Sequence, residues 1–395
     1  MKLHKLFKFR MIHDYDIKIH ACVLILIFIG SLMVISCSVG DSITNSSVVF
    51  KTILKQSVFV MAAYLAMTNV SNYFSLNRIN KIIKPLGIVL CILLGVCLFF
   101  DGAGGAKSWI YFRFAGVEIS IQPSEFFKVY MILIMACLIE KTKRLKQATW
   151  LDITLIPLSF FVIGCGLIYV QNDLGSIVVI TLICAISLLI PSHPSLKTFQ
   201  KISFYGLMGL VVLMGILMSD FGLQLVEHIP FFGSHVAARF ETSANPWVDE
   251  YNTGLQLINS LYAFASGGFF GLGPGQSIQK LKYLPAASTD YILAITVEEL
   301  GVLGFLIILI CYSMIILQLF KYAFKSKMQG YKMIYIGTSL YIFLHFVFNV
   351  GGVTGLIPLT GIPLLFISAG ASSLVSVCMA IGICQACISL EKNMK

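Results

Sequence analysis

The sequence predicts an all-α polytopic membrane protein, with about ten transmembrane helices and one large extracytoplasmic loop. Three observations predict it. The 395-residue chain is 58% hydrophobic and 12% charged, with mean hydropathy +0.89, whereas a soluble domain carries about 25% charge. Apolar runs of roughly 17–25 residues recur from end to end, the length that crosses about 30 Å of hydrocarbon. Lys and Arg gather in short loops on alternate sides of those runs, the positive-inside pattern. A β-barrel would alternate polar and apolar residues in segments of about ten, and the chain shows no such pattern.

Taken in order, the spans are 18–37, 50–69, 86–100, 125–140, 151–170, 174–191, 202–219, 291–318, 333–350 and 364–388. The first follows a basic segment with no clear small-residue cleavage site after it, so it reads as a retained signal-anchor. Ten spans place the basic loops (Arg78, Lys81 and Lys84; Lys141 to Lys146; Lys197 and Lys201; Lys321 to Lys332) on one side with both termini, which makes that side cytoplasmic. One missed helix would invert every later loop. The formal net charge of +10 therefore reads as membrane orientation and not as nucleic-acid binding. The eleven cysteines lie almost wholly inside apolar runs. Cys384 and Cys387 form a C-x-x-C, read as small membrane-core residues because no second pair stands at metal-ligand spacing.

Residues 1–395 read as a single membrane domain. On its outer side most connections are tight turns, with two exceptions. Residues 101–124 form a Gly-rich aromatic loop, and residues 220–289 form the large loop. The latter holds an amphipathic stretch at 252–265 and a glycine cluster at 266–277, which predicts short interfacial helices over the bundle mouth.

Ionisable residues in a bilayer cost at least about 2.5–3.5 kcal/mol each, so their placement is informative. Away from the basic loops they gather towards the outer half: Lys107, Arg113, Glu125, Lys128, Asp173, Arg239, Lys280, Lys282, Asp290, Glu298 and Glu299. Glu125 and Lys128 share a helix face at i,i+3. They read either as an internal ion pair that lowers the cost of burial or as a cation held for an anionic substrate. Asp173 reads as the cap of the sixth helix, and Asp290, in "ASTD", reads as the cap of the eighth. Glu298 lies about 12 Å beyond Asp290 and about 80° round the helix, with Glu299 on the opposite face. Both cannot line one cavity with Asp290, and at least one braces packing. "GLGPG" at 271–275 lacks the Lys-Ser/Thr of a P-loop and any βαβ context. No H-E-x-x-H or G-x-S-x-G occurs, and His228 and His235 read as surface residues.

The segments "IQPSEFFK" (121–128), "QNDLGS" (171–176), "NPW" (245–247), the run 254–304 and "NVGGVTGLIPLTGIPLLFISAGASSL" (349–374) together resemble the SEDS family, which includes FtsW, RodA and SpoVE. The look is closest to the FtsW/SpoVE branch. The resemblance spans most of the chain. It departs at Asn172, Ala286, Leu365 and Ala371, where the family usually has Pro, a carboxylate, Pro and Gly.

The resemblance implies a peptidoglycan glycosyltransferase that polymerises lipid II into β-1,4 glycan at the outer face of the bacterial cytoplasmic membrane, for division or related shape synthesis. It implies a class B penicillin-binding protein as partner, with other divisome or elongasome membrane proteins. Asp290 matches the family's essential aspartate. Gln122, Glu125 and Lys128 match its Q-P-S-E…K motif, and Asp173 matches the aspartate of Q-P-D-L-G. The leaving diphosphate needs cations rather than a general acid, and the acceptor hydroxyl needs a base. Asp290 is the expected base. Lys128, Arg113, Lys107 and Arg239 are the expected diphosphate contacts, alone or with a divalent cation (magnesium or manganese). Two other classes fit a charged polytopic bundle: a lipid II flippase and a non-catalytic scaffold for cell-wall synthases.

Overall fold

The structure, a computed structural model, describes residues 8–42, 47–100, 102, 106–114, 117–142, 149–191, 194–217, 219, 222, 233–281 and 283–394. Its elements are α1 (Ile17–Ser42), α2 (Ser47–Tyr73), α3 (Leu76–Cys97), β1 (Ile110–Phe114), β2 (Val117–Ile121), α4 (Pro123–Thr142), α5 (Trp150–Val170), α6 (Leu174–Leu188), α7 (Lys197–Leu217), α8 (Gly233–Ala244), α9 (Leu255–Gly267), α10 (Ile292–Lys325), α11 (Gln329–Val353) and α12 (Ala371–Asn393). Each of the ten expected spans overlaps a helix. Among the described residues, eight are long and apolar enough to cross a membrane: α1, α2, α3, α5, α7, α10, α11 and α12. The other two are α6, a shorter apolar helix, and α4, which carries Glu125, Lys128 and Glu140. Helix α4 tolerates those charges because Phe127 to Ile139 are almost entirely buried in protein. Helix α7 is the opposite case. Ile202, Tyr205, Val211 and Val212 all face outward, as suits lipid contact.

Four local features differ from the expected layout. Helix α3 begins at Leu76, before the expected apolar span, with Arg78, Lys81 and Lys84 lowering the hydropathy of its first turns without ending the helix. Strands β1 and β2 pair antiparallel as the arms of a hairpin, with Ile110 opposite Ile121 and Phe112 opposite Ile119, where a loop was expected. Helix α12 begins at Ala371, since the apolar residues before it follow an irregular path with Gly361 and Phe366 at positive φ. Most of that path is enclosed: Ile362, Leu364, Leu365, Phe366 and Ile367 are buried. Its backbone is satisfied by Tyr312, whose hydroxyl donates to the Leu365 carbonyl, and by Ser368, whose Oγ accepts from Leu364 N–H at 2.9 Å. Non-helical backbone at membrane depth survives only under such cover.

The fourth difference is a break in α10 at Gly301 (φ 68°, ψ −170°). The loop 268–273 crosses the break. Leu272 and Gly273 N–H donate to the freed carbonyls of Glu298 and Glu299 at 2.9 and 3.0 Å, and Val302 N–H donates to Gly268 at 3.0 Å. A Cβ on Gly301 would stand 2.4 Å from the nitrogen of Gly271, so this close crossing requires glycine.

Two ends of the bundle are thereby defined. At one, Gln385 holds Asp16 through both backbone groups (2.7 and 3.0 Å), and Glu140 accepts from Gly330 N–H at 3.0 Å. The other end carries the hairpin, α8, α9 and the two segments 268–291 and 354–370.

Candidate active site at one end of the bundle

Residues 283–291 form a series of turns leading into α10. Thr289 and Tyr291 N–H both donate to the Ala286 carbonyl, at 3.2 Å each. The helix therefore starts one residue later than the sequence suggests. Tyr291, not Asp290, is its N-cap residue, and no side chain caps it. This corrects the capping reading of Asp290. Its carboxylate takes no hydrogen bond or ion pair from the described residues, while its backbone carbonyl accepts Asn349 Nδ2–H at 2.8 Å.

The wall facing Asp290 is the irregular segment 354–370. A Cβ on Gly361 would stand 3.9 Å from Asp290 Oδ2. The two segments are stitched together: Ala369 N–H donates to the Ser288 carbonyl at 2.9 Å and Ser368 Oγ donates to Thr289 at 2.8 Å. Asn349 Nδ2–H also reaches the Ile362 carbonyl at 3.0 Å. Asp290 is half-buried. Burial pushes its carboxyl above the ordinary carboxylate range, and the positive charge of Arg239 on α8 opposes that rise. Arg239 itself is exposed. The site thus sets an unspent carboxylate within the electrostatic influence of an accessible cation.

Asp173 is spent differently. It caps α6, its Oδ1 accepting Ser176 N–H at 3.1 Å. Its Oδ2 accepts Ser176 Oγ at 2.8 Å, Gln122 Nε2 at 3.0 Å and Ser124 Oγ at 3.3 Å. It therefore ties the starts of α4 and α6 together. Gly175 on that turn packs so closely that a Cβ would meet the Thr360 carbonyl at 2.8 Å, which sets this junction against the segment facing Asp290.

Glu125 and Lys128 form the internal ion pair. Lys128 Nζ is 2.7 Å from Glu125 Oε1, and each side chain is 1% exposed. Lys128 also approaches His345 Nε2 at 3.2 Å, and Glu125 Oε2 accepts the Tyr341 hydroxyl at 2.8 Å. Lys128 is thus an enclosed cation, not one presented at a surface. Lys107 is exposed, and its N–H donates to the Gln171 carbonyl at 2.9 Å, tying the approach to the hairpin to α5. The backbone of Arg113 lies in β1 opposite Glu118. The side chains of Arg113 and His235, and residues His228 and Lys282, lie outside the described set.

Glu298 and Glu299 both hold the loop 275–280 and leave Asp290 alone. Glu298 accepts from Ser277 Oγ and from Ile278 N–H at 3.0 Å. Glu299 accepts from Lys280 Nζ at 2.7 Å, Ser36 Oγ at 2.6 Å and Gly275 N–H at 2.8 Å. Adjacent residues reach one loop because that loop wraps the broken end of the helix. Beside the α4 network lies an apolar cavity of about 380 Å³ between α3, the hairpin, α4 and α12, lined by Leu90, Phe112, Phe126, Tyr130 and Met379. Among the described residues no three His, Cys, Asp or Glu side chains converge as a metal-ligand set.

Sequence reasoning missed two contributors, His345 and Asn349. Asn349 opens the segment 349–374 that carries the resemblance but was given no role there, and the signal for His345 was its spacing of four from Asn349 on α11, which puts both on one face.

Residues 17–393 match the family model described as "Cell cycle protein", of FtsW, RodA and SpoVE. The chain is 35% identical over 381 residues to "Probable peptidoglycan glycosyltransferase FtsW" of Bacillus subtilis, covering 95% of this chain and 90% of that protein. It is 32% identical over 381 residues to "Stage V sporulation protein E" of the same organism, covering 93% and 95%. Among solved structures, the fold matches a chain from "Structural coordination of polymerization and crosslinking by a peptidoglycan synthase complex" with TM-score 0.71 at 19% identity, covering 97% and 100%. It also matches Thermus thermophilus rod shape determining protein RodA with TM-score 0.63 at 19% identity, covering 95% and 97%. With its helical bundle, its motifs and a family match over nearly its whole length, this multi-pass membrane protein belongs to the FtsW/RodA/SpoVE family of cell cycle proteins.

Proposed function

We propose that this chain is an inverting peptidoglycan glycosyltransferase that polymerises lipid II at the outer face of the bacterial cytoplasmic membrane. The observation that carries this reading is Asp290. It is a half-buried carboxylate, unpartnered among the described residues and positioned under the influence of an exposed Arg239. The relatives named peptidoglycan glycosyltransferase support it. The orientation rests on the positive-inside pattern, which sets both termini in the cytoplasm and the Asp290 end outside.

Asp290 takes the proton from the 4-hydroxyl of the acceptor GlcNAc. The oxygen attacks the donor anomeric carbon on the face opposite the diphosphate, so an α-linked donor becomes a β-1,4 link. Charge then builds on the departing lipid diphosphate. Arg239 and Lys107, the described cations of the expected set that reach the surface, are the proposed contacts for it. Lys128 contributes through the architecture of α4 and α11, and Gln122, Glu125 and Asp173 hold the same framework. A magnesium or manganese ion, carried in on the diphosphate oxygens, would offset the same charge. The apolar cavity beside α4 and α12 suits a substrate whose lipid tail stays in the bilayer. A class B penicillin-binding protein and other divisome or elongasome membrane proteins are the proposed partners.

The test is purified protein in liposomes with fluorescent lipid II, scored separately for polymer and for flipping. Asp290→Asn is expected to abolish polymer, a loss of at least about 10²-fold. Polymer made at the wild-type rate by this variant refutes the base. Flipping without polymer makes the chain a transporter, and neither activity leaves the scaffold.

A further inference from the structure

We infer that His345 is a positioning residue for the proposed reaction, fixing the wall opposite Asp290 through the Pro363 carbonyl and tying it to the buried Glu125–Lys128 pair. The inference rests on the functional reading above.

The contacts determine the state of the ring. His345 Nδ1 lies 3.0 Å from the Pro363 carbonyl, which can only accept, so Nδ1 carries the proton. Nε2 lies 3.2 Å from the Lys128 ammonium, which can only donate, so Nε2 presents its lone pair. One neutral tautomer satisfies both, and a ring protonated on both nitrogens would set N–H against ammonium. The ring is fully buried and sits edge-on to Tyr341 at 4.9 Å, so it has no alternative partner in solvent. Tyr341 closes the circuit: its hydroxyl reaches Glu125 at 2.8 Å and Ser376 of α12 at 3.0 Å.

The other end of this circuit is the candidate site. His345 and Asn349 are one turn apart on α11 and grip consecutive carbonyls, Pro363 and Ile362. Asn349 simultaneously grips the backbone of Asp290. Gly361, whose missing side chain makes room for the Asp290 carboxylate, is two residues from the His345 contact. The register of 360–363 against Asp290 is therefore set from α11. Loss of the Pro363 bond should shift the reacting geometry, where a displacement of about 1 Å can cost about 10²-fold in rate. Substrate contacts at the surface would remain.

Three variants separate the two ring nitrogens. Asn at 345 keeps a donor near the Nδ1 position, Gln keeps an acceptor near Nε2, and Leu keeps neither. The expected result is that His345→Gln and His345→Leu lose about tenfold or more in kcat with KM within about twofold, while His345→Asn retains the larger share of kcat. The reverse ranking, with Gln active and Asn inactive, would mean that His345 serves Lys128 alone and overturns the inference. Equal rates in all three, or a change confined to KM, also overturns it. A readout independent of activity is the nitrogen NMR signature of histidine-labelled wild-type protein, with the His345 signal assigned by its loss in whichever of the three variants folds. A neutral ring protonated at Nδ1 is expected, and protonation at Nε2 overturns the inference even where a variant fails to fold. Failure of the functional reading is distinguishable, since wild type would then make no polymer while the ring signature still decides the Pro363 bond.

Discussion

Replacing Glu299 with Gln should destabilise the protein far more than replacing its partner Lys280 with Met. The pair is 2.7 Å apart and each side chain is 1% exposed, so solvent screens it little. Removing one member of a buried pair typically costs about 3–5 kcal/mol, because the other charge is left uncompensated. The two members are not left equally. After Lys280→Met, Glu299 still receives Ser36 Oγ at 2.6 Å, Gly275 N–H at 2.8 Å and Ser277 N–H at 3.4 Å. Hydrogen bonds to a charged group contribute about 1.5–3 kcal/mol each, so the carboxylate remains solvated by protein and the loss should fall to about 1–3 kcal/mol. After Glu299→Gln, the buried Lys280 ammonium keeps only neutral acceptors, Ser36 Oγ at 2.9 Å and an amide oxygen, and the new NH2 group faces backbone N–H donors. The loss should then reach the full range of about 3–5 kcal/mol. The double variant removes both charges and should cost less than the sum of the singles by about 2 kcal/mol. Denaturant titration in mixed micelles, read by circular dichroism, measures all three. Hydrogen exchange should locate the loosening at Leu272, Gly273 and 275–280. Equal single-variant losses, or a double variant equal to their sum, would refute the account of the clamp.

Other expectations concern the site and the helix break. The rate should fall as pH drops through the Asp290 pKa, because the base must be ionised, and burial places that limb above the ordinary carboxylate range. Arg239→Gln removes the opposing charge, so the acidic limb of kcat/KM should move to higher pH; an unmoved or lowered limb contradicts the pairing. Gly301→Ala should cost about 1–3 kcal/mol from the positive φ alone, and more from the 2.4 Å approach of Gly271. Its melting temperature should fall, and a variant as stable as wild type would contradict the tight crossing.

The helices were legible because length and hydropathy are what a bilayer demands. The break at Gly301 was not. "VEELGVLG" has the composition of a continuous span, and a single glycine inside a helix is ordinarily tolerated at about 1 kcal/mol. Two acids just before that glycine, and an unassigned glycine cluster at 266–277, were the signals that a loop crosses there. The late start of α12 was hidden for a similar reason: residues 364–370 are as apolar as a span, yet protein rather than lipid covers them. For Lys128 both readings were open from the residues alone, and only its distances to Glu125 and His345 separate an enclosed cation from a presented one. His345 carried almost no signal, since a lone histidine in an apolar helix has many ordinary explanations.

Asp173 and Asp290 look alike in sequence, each placed before an apolar helix with a capping pattern. The structure divides them by what their oxygens are given to do. Asp173 accepts one backbone and three side-chain donors, so both of its carboxylate oxygens are already occupied within the protein. At Asp290 the chain inserts one more turn before the helix, so Tyr291 takes the cap position without a side-chain bond. The position is then held by its backbone, through Asn349, and by the stitching of Ser288 and Thr289 to the segment opposite. Holding the residue by its main chain fixes the carboxylate without consuming it. A general base requires that combination, because a hydrogen-bonded anion is stabilised in its charged form and a mobile one is badly aimed. The carboxylate worth testing is therefore the one whose support comes entirely from its backbone.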